Sequence, residues 1–427
     1  MIGKPFRTGP VDARVRQKHI FTIAPGAPFL RTFVAALLDG KIVAGYSRAL
    51  GPLEIADATI YVPTRRSALA LADEFCAALG GETALLPNIL PLGALEETET
   101  SLLDEAVIET AGAELPGAVS EISRRMQLSE LVLKWARALR HAIVSVDAGG
   151  RRAVDEREAC LVGTTAADAW HLSGELAHLI DELIIEDVAW RKLDPLVLPE
   201  FDSYWRITLD FLDIAMTQWP RIVADLGFVD KARRQVALVE ARSRSLHEGH
   251  FGGIVIAIGS TGSNTATARV LAAIATAPKG AVVLPGLDRS LDEEAFALIA
   301  GDPDQGREAS FTHPQAMLCR LLPVLGVARD DVVPLGDPPA ALAAREKFLS
   351  EALRPAETTD AWVGFPQKPE ASELPAALAG VTLIEAADER EEALALAIAL
   401  REVLETPGAT AALVTPDRNL ARRVRGD

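Results

Sequence analysis

The stretch Gly253–Ile258 (GIVIAI) narrows the choice of fold more than any other part of this chain. It is a continuous apolar run, rich in β-branched residues and bounded by glycines. Without polar alternation, such a strand must be buried on both faces, as central strands of parallel sheets are. Gly259-Ser260-Thr261-Gly262-Ser263-Asn264 then turns into a helix through about Ala275. Pro278-Lys279-Gly280 closes that helix, and Ala281–Leu284 (AVVL) is the next strand. Two strands joined by one helix make a βαβ crossover, which fixes an α/β class. Pro285-Gly286-Leu287-Asp288 falls at the C-terminal edge of its strand, where open α/β sheets hold ligands.

A second such unit lies near the start. His19–Ala24 is a short apolar strand, Pro25-Gly26 a turn, and Phe29–Leu38 a helix by its apolar period. Strand, tight turn and helix form a scaffold on which helix-start N–H groups attract phosphate. A working phosphate loop, however, reads G-x-x-x-x-G-K-[ST], with Lys on the phosphates and a hydroxyl on Mg²⁺. Here Pro25 and Pro28 remove two amide donors, and no Lys lies between Lys18 and Lys41. Pro25, Gly26 and Ala27 thus stand at a degenerate nucleotide-site position.

Gly259, Ser260 and Thr261 stand at the matching position after GIVIAI. In ATPases of this architecture such a strand ends in acids that hold Mg²⁺ and orient water. No Asp or Glu occurs from Gly249 to Pro285. Without the Lys and the acids, little is left to stabilise a phosphoryl transition state. The Gly259–Ser263 loop keeps two readings: a phosphate-binding turn, or a plain βα turn capped by Ser263 or Asn264.

Between these units, Ala58–Pro63 (ATIYVP) is a further strand. Thr64-Arg65-Arg66-Ser67 opens a helix with Leu69, Leu71, Ala72, Phe75 and Leu79 on its apolar face, ended by Gly80-Gly81. Ala84–Leu92, broken by Pro87 and Pro91, suits a buried edge or a loop. From Thr98 to Ser245 strand signals give way to helical periods: Met126, Leu128, Leu131, Val132, Trp135 and Leu139; Trp170 to Leu183; Tyr204 to Ile214. Residues 302–375 mix helices with joints at Asp337-Pro338-Pro339 and Gly364-Phe365-Pro366. A fresh α/β pattern closes the chain: strand Val381–Glu385, helix Glu389–Leu404, strand Thr410–Thr415, helix Arg418–Val424. The expected organisation is a first part of an α/β core (1–97), a helical insertion (98–248), the rest of the core with connecting helices (249–375), and the start of a second α/β domain (376–427).

Composition sets limits. The 427 residues suffice for two or three domains, and no apolar run has the length of a membrane span. The basic N-terminus lacks a signal-peptide core, so a cytoplasmic protein without a membrane partner is expected. A net charge of −17 argues against an all-over basic coat for nucleic acid, though not against a local basic groove. Cys76, Cys160 and Cys319 are too far apart for a framework or a metal cluster, and no cofactor is signalled.

Two basic clusters remain. Thr64, Arg65 and Arg66, after a strand and at a helix start, suit a nucleic-acid phosphate; Arg418, Arg422 and Arg423 recur near one helical face. Solvated helix surface is the plainer explanation of each. Five of the six tryptophans fall in the helical region, where core packing competes with stacking on bases. Asp155-Glu156-Arg157-Glu158 and Asp388-Glu389-Arg390-Glu391-Glu392 suit charged faces or helix starts.

Taken together, Phe21–Val34, Ile60–Phe75, Leu85–Gly93, Ala257–Ala275, Val282–Asp288 and Ala412–Val424 resemble the N-terminal part of alphaproteobacterial AddB, a subunit of the AddAB helicase–nuclease that processes double-strand DNA breaks. The resemblance implies a RecA-like, superfamily 1 helicase-like parallel sheet that has lost its motor. Phe21–Val34 would stand at Walker A and Ile254–Ser260 at Walker B. Thr64, Arg65 and Arg66 would form the DNA-contacting motif. Ala412–Val424 would lie near motif IV, with Thr415-Pro416 where active relatives carry an arginine and Arg418 following. It further implies DNA and an ATP-hydrolysing AddA-type subunit as partners in a heterodimer, and no catalytic residues here. The family's nuclease domain and iron–sulfur cysteines belong to a C-terminal half, so the chain is expected to be an N-terminal fragment. Two other readings stand beside it: an enzyme using Gly259–Ser263 for a nucleotide or sugar phosphate, and a structural docking protein.

Overall fold

The computed structural model describes residues 19–80, 85–92, 116–142, 144–146, 152–154, 165–188, 211–247, 253–302 and 306–426. Strand β1 (Ile20–Ile23) leads through a tight turn into α1 (Phe29–Leu38). Strand β2 (Thr59–Val62) leads into α2 (Arg65–Leu79), and β3 (Asn88–Pro91) follows. The insertion supplies α3 (Glu121–Ala142), β4 (Val144–Val146), β5 (Arg152–Val154), α4 (Ala166–Ile185), α5 (Trp219–Asp225) and α6 (Lys231–His247). The core resumes with β6 (Val255–Ile258), α7 (Thr265–Thr276), β7 (Gly280–Pro285), α8 (Glu293–Ala300), α9 (Ala316–Leu325), β8 (Val333–Pro334) and α10 (Ala340–Ala352). Helices α11 (Glu389–Leu404) and α12 (Arg418–Gly426) end the described chain.

Six strands form one parallel sheet in the order β3-β2-β6-β7-β1-β8. This is the α/β architecture expected, and it is consistent with a RecA-like fold. GIVIAI lies inside the sheet, and β7 separates it from β1. Ile20, Tyr61, Val255, Ala257, Val282 and Leu284 face one side, beneath α7, α8 and α9. Phe21, Ile23, Ile60, Val62, Ile256, Ile258, Ala281 and Val283 face the other, beneath α1 and α2. The period-2 alternation of a strand thus feeds two separate cores. Thr22 is the buried polar residue of β1. Its hydroxyl donates to the Leu284 carbonyl (3.3 Å) and accepts from the Leu287 amide (3.1 Å), tying β1 to β7.

The Pro-flanked stretch around Asn88 is an edge strand, as its prolines require, since Pro cannot donate to a ladder on both sides. Strand β8, two residues at the opposite edge, carried no sequence signal. Helix α2 ends at Gly80 with φ +71°, a left-handed stop that glycine takes without strain. Leu69 does not share the apolar face of that helix. It is 72% exposed, because only positions three or four apart follow Leu71 and Phe75 inward.

The insertion has its own core, with Leu128, Val132, Leu176, Ile180, Ile214 and Trp219. It is not wholly helical: β4 and β5 pair as an antiparallel ribbon, their valines alternating around a Gly-Gly in the sequence. Met126, grouped with the helix core by period, is exposed. The expected positions Tyr204 and Ile207, Trp190 and Trp205, Cys160, and the Asp155–Glu158 charge run lie outside the described residues.

The closing segment differs from expectation. Helices α11 and α12 form and pack on each other, with Ala393 and Val424 buried, but Val381–Glu385 and Thr410–Thr415 join no ladder among the described residues. A strand exists only by pairing, and among the described residues neither stretch has a neighbour to pair with. Leu383 (83% exposed) and Val414 (92%) accordingly face solvent. Gly364-Phe365-Pro366 is not an open joint either; it lies within a 3₁₀ helix spanning Ala356–Gln367.

Candidate functional site at the carboxyl edge of the sheet

Because every strand of the main sheet is parallel, the loops after β1, β2, β6 and β7 leave one edge. The Gly286 amide donates to the Ile23 carbonyl (2.9 Å), and the Gly259 amide to that of Val283 (2.9 Å). A Cβ built on Gly259 would lie 3.4 Å from Phe29 and 3.5 Å from Pro63. The structure therefore brings Pro25, Gly26 and Ala27 into one neighbourhood with Gly259, Ser260 and Thr261, and Thr64 follows directly from Pro63.

The turn after β1 is closed twice. The Ala27 amide donates back to the Ala24 carbonyl (3.0 Å), and Ala27 is buried. A Cβ on Gly26 would meet Leu342 Cβ at 2.8 Å and Pro338 Cβ at 3.1 Å. The start of α10 thus sits on the turn, where a phosphate group would have to enter.

The turn after β6 serves its own helix. Gly259 and Gly262 take φ +70° and +63°. Ser260 Oγ accepts from the Gly262 amide (3.3 Å), and Asn264 Oδ1 caps α7 by accepting from the Thr267 amide (2.7 Å). At the first residue of α7 the Thr265 hydroxyl donates to Glu186 Oε2 (3.0 Å), and Arg269 pairs with Asp187 (2.6 Å). A carboxylate from the insertion thus lies at the helix start that would attract a phosphate. Of the two readings of Gly259–Ser263, the capped turn describes this geometry, with Asn264 as the cap.

Thr64 is the N-cap of α2: its Oγ1 accepts from the Ser67 amide (3.1 Å) and contacts Ser67 Oγ (2.8 Å). That bond fixes the backbone that projects Arg65 and Arg66, and all three residues are exposed. Arg418 and Arg422 are exposed on α12, while Arg423 pairs with Glu389 of α11. The two basic clusters do not occupy equivalent places in two sheets, since the second pair of strands is not formed. Among the tryptophans, Trp219 is fully buried and donates from Nε1 to Asp230 Oδ2 (2.8 Å). Trp135 packs against Phe211 with ring centroids 4.9 Å apart, and the Arg125 guanidinium lies 4.5 Å above Trp170. These contacts are structural packing rather than a platform for bases.

Sequence reasoning missed the groups that α9 and α10 bring to this edge. A cavity of about 310 Å³ lies beside the β1 turn, between Pro25, Gly26, Gly286 and Asp288 on the sheet side and His313, Gln315, Leu342, Arg345, Glu346, Leu349, Ser350 and Leu353. The α10 members recur at three- and four-residue steps, so one helix face lines it. That period was legible, but its mixed polarity hid it from a search for apolar stripes. Gln315 holds the rim, donating to the Gly286 carbonyl and accepting from the Asp288 amide (both 2.9 Å).

Among the described residues, no three metal-ligating side chains gather. None of the helices they form is long and apolar enough to cross a membrane. The buried Cys319 thiol is pushed up to about 12, chiefly by burial, whereas Cys76 is half-buried. Alkylation followed by peptide mapping should therefore modify Cys76 in the native protein and leave Cys319 intact until denaturant is added. Native-state labelling of Cys319 would show that α9 opens readily.

The fold and this edge define an α/β protein whose turns after β1 and β6 carry no Lys and no acid. Comparison with protein-family models finds no match, and comparison with curated proteins finds none either.

Proposed function

We propose that this chain is a helicase-like module of the AddB type, which binds DNA and docks an ATP-hydrolysing AddA-type partner in cytoplasmic double-strand break repair, without turning over ATP itself. The observation that carries this reading is the pairing, on one sheet edge, of a covered phosphate turn with an open basic helix start. Leu342 and Pro338 lie over Gly26, while Arg65 and Arg66 are exposed at the start of α2, which follows a strand separated from β1 by β6 and β7. Arg418 and Arg422 offer further phosphate contacts from α12.

The test is anisotropy of a labelled single-stranded oligonucleotide across a salt series. Binding should weaken with salt, and Arg65→Ala/Arg66→Ala should lower the log–log slope by about 1.4, roughly 0.7 for each lost phosphate contact. ATP hydrolysis with Mg²⁺ should stay at background. An unchanged slope in the double variant would overturn the DNA-binding assignment, and brisk ATP turnover would overturn the loss of the motor.

A second reading, a nucleotide- or sugar-phosphate enzyme, draws on one observation. A cavity of about 190 Å³ beside Ser263 and Thr265 is lined by Arg320, by Arg269 (paired with Asp187) and by the Glu186 carboxylate. Saturable nucleotide binding abolished by Ser263→Ala or Arg320→Ala would favour it.

A further inference from the structure

We propose that the cavity between the β7 edge and α10 is a binding site for an organic cation, a primary amine or guanidine carried on a short apolar chain. Its polar and apolar parts are separated. Leu342, Leu349, Leu353, Pro25 and Pro314 supply apolar wall, while Asp288 and Glu346 supply two carboxylates. The Asp288 charge acts on Glu346: burial first, and Asp288 second, push the Glu346 carboxyl above its ordinary range. The one basic side chain of the lining is committed elsewhere, since Arg345 Nε donates to the Ala377 carbonyl (2.8 Å) and Nη2 to that of Ala379.

Both ring nitrogens of His313 are engaged by backbone groups. Its Nδ1 accepts from the Gln315 amide (3.1 Å), so Nε2 carries the proton that goes to the Leu353 carbonyl (3.0 Å). A second and independent feature points to a ligand. Ser350, 8% exposed, lines the same cavity with its Oγ lacking any hydrogen-bond partner. A buried hydroxyl without a partner is costly, and a bound N–H donor would satisfy it. Carboxylates bind amines and guanidines through charge-assisted hydrogen bonds, and they repel phosphate. Binding sites commonly span roughly 300–1,000 Å³, and this cavity falls at the small end, suiting a side-chain-sized molecule. Asp288, Glu346 and His313 line the cavity without gathering closely enough to hold a metal ion, so an organic cation fits better.

The same chemistry comes from a free amine or from a Lys or Arg side chain of a partner protein. Ligand-observed NMR titrations of the full chain with n-pentylamine, with Nα-acetyl-arginine amide and with pentanoate separate these sources. Saturable binding of either cation is expected, with pentanoate at background. Preference for pentylamine identifies a small-molecule site, and preference for the blocked arginine a side-chain socket. Asp288→Asn and Glu346→Gln should each weaken the cation at least tenfold. Asn keeps the Oδ1 acceptor that holds the Ser290 and Leu291 amides (2.8 and 3.0 Å), so the loop should survive that change. Ser350→Ala should weaken binding as well.

Failure of both cations to bind, equal binding of pentanoate, or cation binding indifferent to Asp288→Asn and Glu346→Gln would overturn the proposal. DNA binding measured on the same two variants should match the unmodified protein, so the outcome here is independent of the DNA-binding assignment.

Discussion

Gly280→Ala should cost on the order of 3 kcal/mol of stability, the upper end of what overpacking a tight interior does. A Cβ at this position would lie 1.8 Å from the Ile274 carbonyl oxygen, 2.9 Å from its carbon and 3.0 Å from Ala277 Cβ. The obstacle is backbone, so no side chain can swing aside. Gly280 also opens β7, pairing with Val255 on β6, and its amide donates to the Ala277 carbonyl (3.0 Å). Relief requires lifting the end of α7 off a strand inside the sheet, and Ile274 there is completely buried. Denaturant titration with an unchanged m-value checks the size of the effect. A loss below about 1 kcal/mol, a typical value for an ordinary substitution, would mean that α7 meets β7 less tightly than this.

Arg124→Ala should strongly destabilise the helical insertion. The guanidinium is 1% exposed, donates to Asp181 Oδ2 (2.8 Å) and to the Ala177 carbonyl (3.0 Å), and lies 3.1 Å from Asp230 Oδ1. It therefore joins α3 to α4 and to the residue preceding α6. Removing one member of a buried pair leaves the other charge uncompensated, a loss of about 3–5 kcal/mol.

The damage should depend on pH in a defined direction. Burial already holds the Asp230 carboxyl above its ordinary range, against the opposing pull of Arg124. A carboxyl raised in the folded state favours folding when protonated, and that contribution is lost as pH rises through its folded value. Arg124→Ala should accordingly hurt most at neutral pH and less as the pH falls toward the carboxylate range. Because Trp219 donates to Asp230 (2.8 Å), its fluorescence reports the event. The three hydrophobic cores are separate clusters, so amide protection in β6 and β7 should outlast that in α3 and α4. Equal loss of protection in both would show that the insertion and sheet unfold together.

The elements legible in the sequence are those whose pattern is local. Ile20–Ile23, Phe29–Leu38, Thr59–Val62 and Gly280–Pro285 announce themselves by β-branched runs, turn glycines and helical period, and they stand within a residue or two of where they were read. What escaped depended on partners. Strand β8 is two residues long and exists because Thr22 offers a ladder. Val381–Glu385 carries a good strand pattern and joins no ladder among the described residues. The ribbon of β4 and β5 hides in a stretch dominated by helical periods. At the site, the tight turn at Pro25-Gly26 was legible from its residues, but the helix that covers it was not. Leu342 reaches Gly26 from more than three hundred residues away in sequence, and nothing in its spacing names that destination.

The position of α10 settles how the β1 turn meets its surroundings. The Leu335 amide donates to the Thr22 carbonyl (2.8 Å), and Pro339 is the N-cap of the helix, so only a few residues tether it to the strand it covers. A freely bound molecule departs on dilution, whereas a tethered helix faces its seat at an effective concentration that the linker alone determines. A solute seeking Gly26 competes against a rival that never washes away. The occupancy of that turn is thereby written once, as the chain folds, and the metabolite pool has no vote in it.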